Sequence, residues 1–123
     1  MPFRRIINKI VYDFITLFNE RKIDELSNMW SKEMYIESSL VKTVYPYSQS
    51  NRIEGKENVV AYYKELVKKL PSYYLIFNEN NYKVNSKKVV YDALLKTGER
   101  NISEVSLNEH GKIEYIITNY VHN

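Results

Sequence analysis

The chain is 123 residues long, 44% hydrophobic and 27% charged, with a formal net charge of +3 and no cysteine. That length predicts one domain over 1–123 with enough apolar residues for its own core, and the missing cysteine excludes disulfides, thiolate nucleophiles and cysteine-bound zinc. The 18 basic and 15 acidic residues are interspersed, and 13 of the basic ones are Lys, whereas a face that reads phosphates or bases leans on Arg, so no nucleic-acid partner is expected. His110, beside a turn glycine, and His122, next to the last residue, suit neither a catalytic triad nor a metal site. Three glycines leave little room for a phosphate-cradling loop. No metal and no cofactor is expected. In "MPFRRIINKIVYDFITLF", Asn8, Lys9 and Asp13 interrupt any signal-peptide core or membrane span, which predicts a cytoplasmic protein with no membrane partner.

In chain order, Phe3, Ile6, Ile7, Ile10, Val11, Phe14, Leu17 and Phe18 recur at helical spacing and predict an amphipathic helix over 3–20. A second helix in "IDELSNMWSK" is expected to turn Ile23, Leu26 and Trp30 inward, with Asp24 as its cap. "MYIESS", residues 34–39, reads as the first strand, with Met34, Ile36 and Ser38 on one face and Tyr35 and Glu37 on the other. Residues 40–54 read as a loop or as a hairpin arm broken at Pro46. After Gly55, Val59, Tyr62, Tyr63, Leu66 and Leu70 mark a third helix that Pro71 stops. The remainder reads as four strands, "SYYLIFNENNYKV", "KVVYDALLKT", "NISEVSL" and "KIEYIITNYV", parted by turns at "NSK", Gly98 and "NEHG". Three helices followed by an antiparallel meander define the α+β class. The last strand carries apolar residues on both faces, Ile113, Tyr115 and Ile117 against Ile116 and Tyr120. This predicts burial on the outer sheet face, with Ile116 and Tyr120 placed there.

Few side chains carry chemistry. Glu37 ends a half-buried strand and reads as a rim general base or as an outward residue. Asp92, in "VVYDALL", faces outward if Val89, Tyr91, Ala93 and Leu95 face inward, and is a buried carboxylate if the parity is reversed. Asn119 reads as a ligand contact or as a backbone partner near the sheet end. Phe14, Phe18, Trp30, Tyr63 and Tyr91 would suit the aromatic lining of a pocket for a small apolar or aromatic ligand; core packing is the alternative.

The segments "LFNERKIDELSNMWSKEMYIESS", "IEGKENVVAYYKEL" and "NEHGKIEYIITNYV" resemble the NTF2-like superfamily, with its SnoaL-like cyclases and ketosteroid isomerases. The resemblance covers nearly the whole chain. It implies a cystatin-like cone, a curved antiparallel sheet packed on three N-terminal helices and enclosing a pocket. It also implies a homodimer through the outer sheet face, and a Tyr45-Pro46-Tyr47 stretch near the open end of the cone. The isomerases hold an enolate oxygen with a first-helix Tyr and a protonated late-strand Asp, and move the proton with an Asp at the end of the first strand. Those positions fall at Phe14, Ser103 and Ser38, so none of the three groups is retained. A one-residue slip would put Glu37 and Glu104 there, on the opposite strand faces. A pocket-lining Tyr of the third helix corresponds to Tyr63. The resemblance thus implies a ligand site around Phe14, Phe18, Trp30, Ser38, Tyr63, Tyr91 and Ser103, with Glu37 and Asp92 as the weak proton-transfer candidates. Three functions stay open: a small-molecule-binding module, an isomerase- or cyclase-type enzyme acting on an apolar substrate, and a dimeric association domain.

Overall fold

The computed structural model describes residues 2–85, 88–95 and 100–121, with side chains described for 9–76, 88 and 100–120. Helix α1 (Pro2–Asn19) buries Val11, Phe14, Ile15 and Phe18, one stripe at i, i+3, i+4 and i+7. Its end is a Schellman cap: Arg21 N donates to Phe18 O and Lys22 N to Leu17 O, both at 2.9 Å. Arg21 holds the left-handed position of this cap at φ +64°, where glycine is usual and a side chain costs about 1 kcal/mol.

The second helix is shorter than its periodicity predicts. Helix α2 (Ile23–Leu26) passes into a 3-10 turn over Ser27–Met29, and strand β1 (Trp30–Ser38) already begins at Trp30. Trp30 lies opposite Ile113 in the sheet, and ladder pairing outweighs a weak local helix preference. Asp24 is not the cap; that position is Lys22, and the Asp24 carbonyl instead accepts from Ser27 Oγ at 2.6 Å. Along β1, Met34, Ile36 and Ser38 are buried while Tyr35 and Glu37 are half-buried on the other face.

Residues 40–54 form helix α3 (Leu40–Val44), a turn through Pro46, and strand β2 (Arg52–Glu54), which pairs antiparallel with β1. Val41 and Val44 are fully buried, which anchors α3. Helix α4 (Lys56–Lys69) follows Gly55, whose N–H donates to Met34 O at 2.8 Å from a left-handed backbone, φ +91°, that favours glycine. Val59, Tyr62, Tyr63 and Leu66 form its buried face.

Strands β3 (Leu75–Asn85), β4 (Lys88–Leu95), β5 (Arg100–Leu107) and β6 (Ile113–Val121) make the expected meander. The sheet order is β2-β1-β6-β5-β4-β3, and β1 runs parallel to β6. The sheet is therefore mixed rather than wholly antiparallel. The connection from β1 to β6 is long enough, through α3, α4 and four strands, to permit the parallel pairing.

A second correction concerns β6. Leu107 pairs with Ile113 but Ser106 pairs with Tyr115, so one residue is inserted opposite β5. This bulge inverts the parity of the strand. Ile113 and Ile116 are both buried, and Ile116 and Tyr120 face inward, against the expectation that placed them outside. Tyr115 and Ile117 take the outer face instead.

Candidate functional site

The inward faces of α1, α4 and the sheet enclose a cavity of about 30 Å³. Phe14 and Phe18 come from α1, Tyr62, Tyr63 and Leu66 from α4, and Ile36 and Ser38 from β1. The rings form one cluster: Phe18 meets Tyr63 and Tyr73 edge-on at 5.7 Å each, and Phe14 meets Tyr63 at 6.3 Å. Five residues singled out in the sequence, Phe14, Phe18, Ser38, Tyr63 and Ser103, thus share one wall. Trp30 does not border the cavity. It packs behind Tyr63 at 5.5 Å, with its buried indole N–H lacking an acceptor among the described residues. The side chains of Tyr91 and Asp92 lie outside the described residues, although their backbone pairs with Ser103 and Ile102.

Glu37 borders the cavity as the residue between Ile36 and Ser38, but strand alternation turns its side chain to the other face, opposite Arg52 and Ile117. Glu104 is also outward and accepts from the Tyr115 hydroxyl at 2.6 Å. The one-residue slip is therefore not realised: Ser38 and Ser103, not Glu37 and Glu104, face the cavity. Asn119 is exposed. Tyr47 is exposed too, and Tyr45 packs on Tyr62 at 6.1 Å.

One end of the cavity is polar, and sequence reasoning missed most of it. Tyr73 Oη and Tyr120 Oη are 2.5 Å apart. Asn101 Nδ2 donates to Tyr73 Oη at 3.3 Å, Ser103 Oγ donates to Asn101 Oδ1 at 2.6 Å, and Ser103 Oγ lies 2.9 Å from Thr118 Oγ1. Ser38 Oγ accepts from Leu40 N at 3.1 Å. Two sequence signals lead here: Asn101 and Ser103 are spaced by two on one strand, and so are Thr118 and Tyr120. Tyr73 sits in the connection after α4, where no periodicity marks it.

This polar end carries hydroxyls and an amide but no described inward carboxylate, imidazole or amine. Burial, reinforced by neighbouring Tyr120, raises the Tyr62 phenol above its ordinary range. Burial likewise raises Tyr73, against the hydrogen bonds from Tyr120 and Asn101 that lower it. Both phenols are poor bases and ready hydrogen-bond donors. Their folded pKa values exceed the ordinary 10.0, so the stability linked to them is complete below pH 10 and is lost as pH rises further. Alkaline titration is expected to unfold the chain cooperatively above pH 10, with the phenolate absorbance of these two residues appearing together with the loss of near-ultraviolet circular dichroism. Ionisation of all tyrosines before unfolding would contradict the burial argument.

A mixed sheet packed on helices, with an aromatic and hydroxyl-lined cavity between them, is the fold of solved proteins described as SnoaL-like and NTF2-like. A SnoaL-like protein of unknown function from Burkholderia thailandensis superposes with a TM-score of 0.82 at 14% identity, over 96% of this chain and 97% of that one. An epoxide hydrolase/cyclase-like enzyme of pyran ring formation in the polyether salinomycin gives 0.71 at 14% identity, over 98% and 95%. An NTF2-like protein of unknown function from Cytophaga hutchinsonii gives 0.67 at 13% identity, over 93% and 88%. No family model matches the sequence, and no curated protein matches it significantly. Identities this low carry the fold and not the chemistry. Among the described residues, no helix is long and apolar enough to cross a membrane, and no group of three acidic, His or Cys side chains could hold a metal ion.

Proposed function

We propose that the chain is a small-molecule-binding domain whose ligand is neutral and mostly apolar, with an oxygen function at one end. The single observation that carries this reading is the character of the cavity wall: aromatic rings over most of it, uncharged hydroxyl and amide groups at one end. A charged ligand would meet no compensating charge among the described residues and would bear the full cost of desolvation. A neutral carbonyl or hydroxyl would find partners in the Tyr73, Tyr120, Asn101 and Ser103 cluster. Proton transfer on an apolar substrate is the weaker alternative, because its base would have to be Glu37, which faces away, or Asp92. The same reading takes 1–123 as one cytoplasmic domain. It also pairs two copies through the outer sheet face, where Tyr35 stacks on Tyr115 at 5.3 Å and Arg52 covers Tyr35 at 4.0 Å.

A cavity of about 30 Å³ holds about two waters, so a ligand enters only if the walls part. Native mass spectrometry of protein purified without added ligand is expected to show a retained small neutral molecule. Titration with 1-naphthol, a neutral aromatic alcohol, is expected to quench Trp30, the sole tryptophan, in a saturable way. A Leu66→Phe substitution, which adds bulk at the cavity wall and leaves Trp30 the sole tryptophan, should abolish the saturable binding. A clean spectrum together with no saturable quenching would sink the proposal.

A further inference from the structure

We infer that the segment Pro71–Leu75 is the access wall of the cavity and that Arg21 is the positioning residue that holds it shut. The inference rests on the cavity being the ligand site. Nearly all of the wall is built from helix and strand. Tyr73 is the exception, reached from the connection between α4 and β3. Pro71 and Ser72 are exposed while Tyr73 and Leu75 border the cavity, so a single thickness of chain separates cavity from solvent here.

The end of α1 straps this segment down. Asn19 Nδ2 donates to Leu75 O at 2.7 Å, and Asn19 Oδ1 accepts from Leu75 N at 2.9 Å, as a neighbouring strand would. Arg21 Nη2 donates to Pro71 O at 3.0 Å. The same guanidinium lies 4.2 Å from the centre of the Tyr74 ring and 5.4 Å from that of Phe18. One side chain therefore grips the start of the segment, the ring beside Tyr73, and the helix that carries the cavity aromatics. From inside, the Tyr73 hydroxyl latches onto Tyr120 at 2.5 Å.

The backbone of Arg21 supports the same assignment. At φ +64°, glycine would end α1 without strain. What arginine adds at this position is the reach across to Pro71 and Tyr74, beside a longer 3.5 Å contact from its Nη1 to Phe18 O at the helix end. Releasing that grip frees Tyr73 to swing with its segment and opens the cavity where its wall is thinnest. The phenol that recognises the ligand and the wall that admits it are then one element.

The test compares wild type, Arg21→Gly and Arg21→Lys by hydrogen exchange with mass spectrometry and by stopped-flow binding of 1-naphthol followed at Trp30. Arg21→Gly removes the grip and relieves the backbone, so global unfolding stays close to wild type. Amides of residues 73–75 are expected to exchange about tenfold faster in it, with α1 and β1 unchanged. Association and dissociation of 1-naphthol should both accelerate by a similar factor, leaving Kd nearly constant. Arg21→Lys keeps the charge but not the planar fork, and falls between. Exchange that rises evenly over the whole chain would overturn the inference by reducing Arg21 to a general stabiliser. So would unchanged exchange at 73–75, or unchanged rates in a protein that binds 1-naphthol. Wild type that fails to bind 1-naphthol at all overturns the ligand-site reading, while the exchange result still decides whether Arg21 holds the wall.

Discussion

Phe18→Ala is expected to lower the unfolding free energy by about 3–5 kcal/mol, the loss usual for a large ring removed from a packed core. Phe18 is 1% exposed and touches three other rings, Phe14, Tyr63 and Tyr73. Its neighbours lie on α1, α4 and the α4–β3 connection, held by separate elements, so they cannot close the gap together. The residual void should therefore be large and joined to the existing cavity. For a domain of this size the loss is a substantial part of total stability. Urea unfolding measures it directly. The binding reading adds a second expectation: 1-naphthol should return part of the lost stability to the variant, because a ligand that occupies the void binds only the folded chain. If Phe18→Ala lost less than about 1 kcal/mol, the ring cluster would not be the centre of the core. If it lost the full amount but gained nothing from the aromatic alcohol, the cavity would be core and not a site.

What could be seen in the sequence follows from period. Helix α1 and helix α4 repeat their apolar residues every three or four positions, so their existence and inward residues were legible, and β3 to β6 alternate, so their existence was legible too. The same local patterns put Phe14, Ser38 and Tyr63 on inward faces, while Ser103 came from the family resemblance. What stayed hidden is non-local or aperiodic. Nothing in "MYIESS" states that its partner is the last strand, lying parallel, because that contact spans most of the chain. Tyr120 and Ile116 were placed outside because a single inserted residue near Tyr115 reverses every later side chain of β6. That reversal also concealed the polar end of the cavity, two of whose members, Thr118 and Tyr120, lie beyond the bulge. Tyr73 stands on a connection, where no repeat distinguishes a wall residue from a surface one. The left-handed turn at Arg21 was hidden for a related reason, since an arginine gives no turn signal of its own.

Ser103→Asp places an acid where the resemblance would put that of the isomerases, and it is expected to make folding depend steeply on pH. Ser103 is 2% exposed, and its hydroxyl lies between Asn101 and Thr118. No described cation borders the cavity, so a carboxylate there would be desolvated and unpaired. Its folded pKa should rise by about 3–5 units above the free value of about 3.9. A raised folded pKa favours the protonated, folded form, so stability is fully present below about pH 4 and declines as pH rises towards the folded pKa. At pH 7 the loss is limited by the distance from the free value and amounts to about 4 kcal/mol, a large part of the stability of a domain of ordinary size. Ser103→Asn is the neutral comparison, and the difference between the two variants by circular dichroism at each pH isolates the charge from the added bulk. A large difference at pH 7 that vanishes near pH 4 would establish the cavity as a dry, uncharged chamber. Equal stability of the two variants across that range would mean that water or a cation reaches position 103, and the preference for a neutral ligand would fall with it. The isomerase site keeps its buried acid protonated by surrounding it with apolar groups and a donor Tyr. The resemblance puts that donor position at Phe14, and Asn101 and Thr118 already engage the hydroxyl that would be replaced. Among the described residues, neutral groups stand at Ser38 and Ser103, where the resemblance would put the acids, and this supports the proposed recognition of an uncharged oxygen.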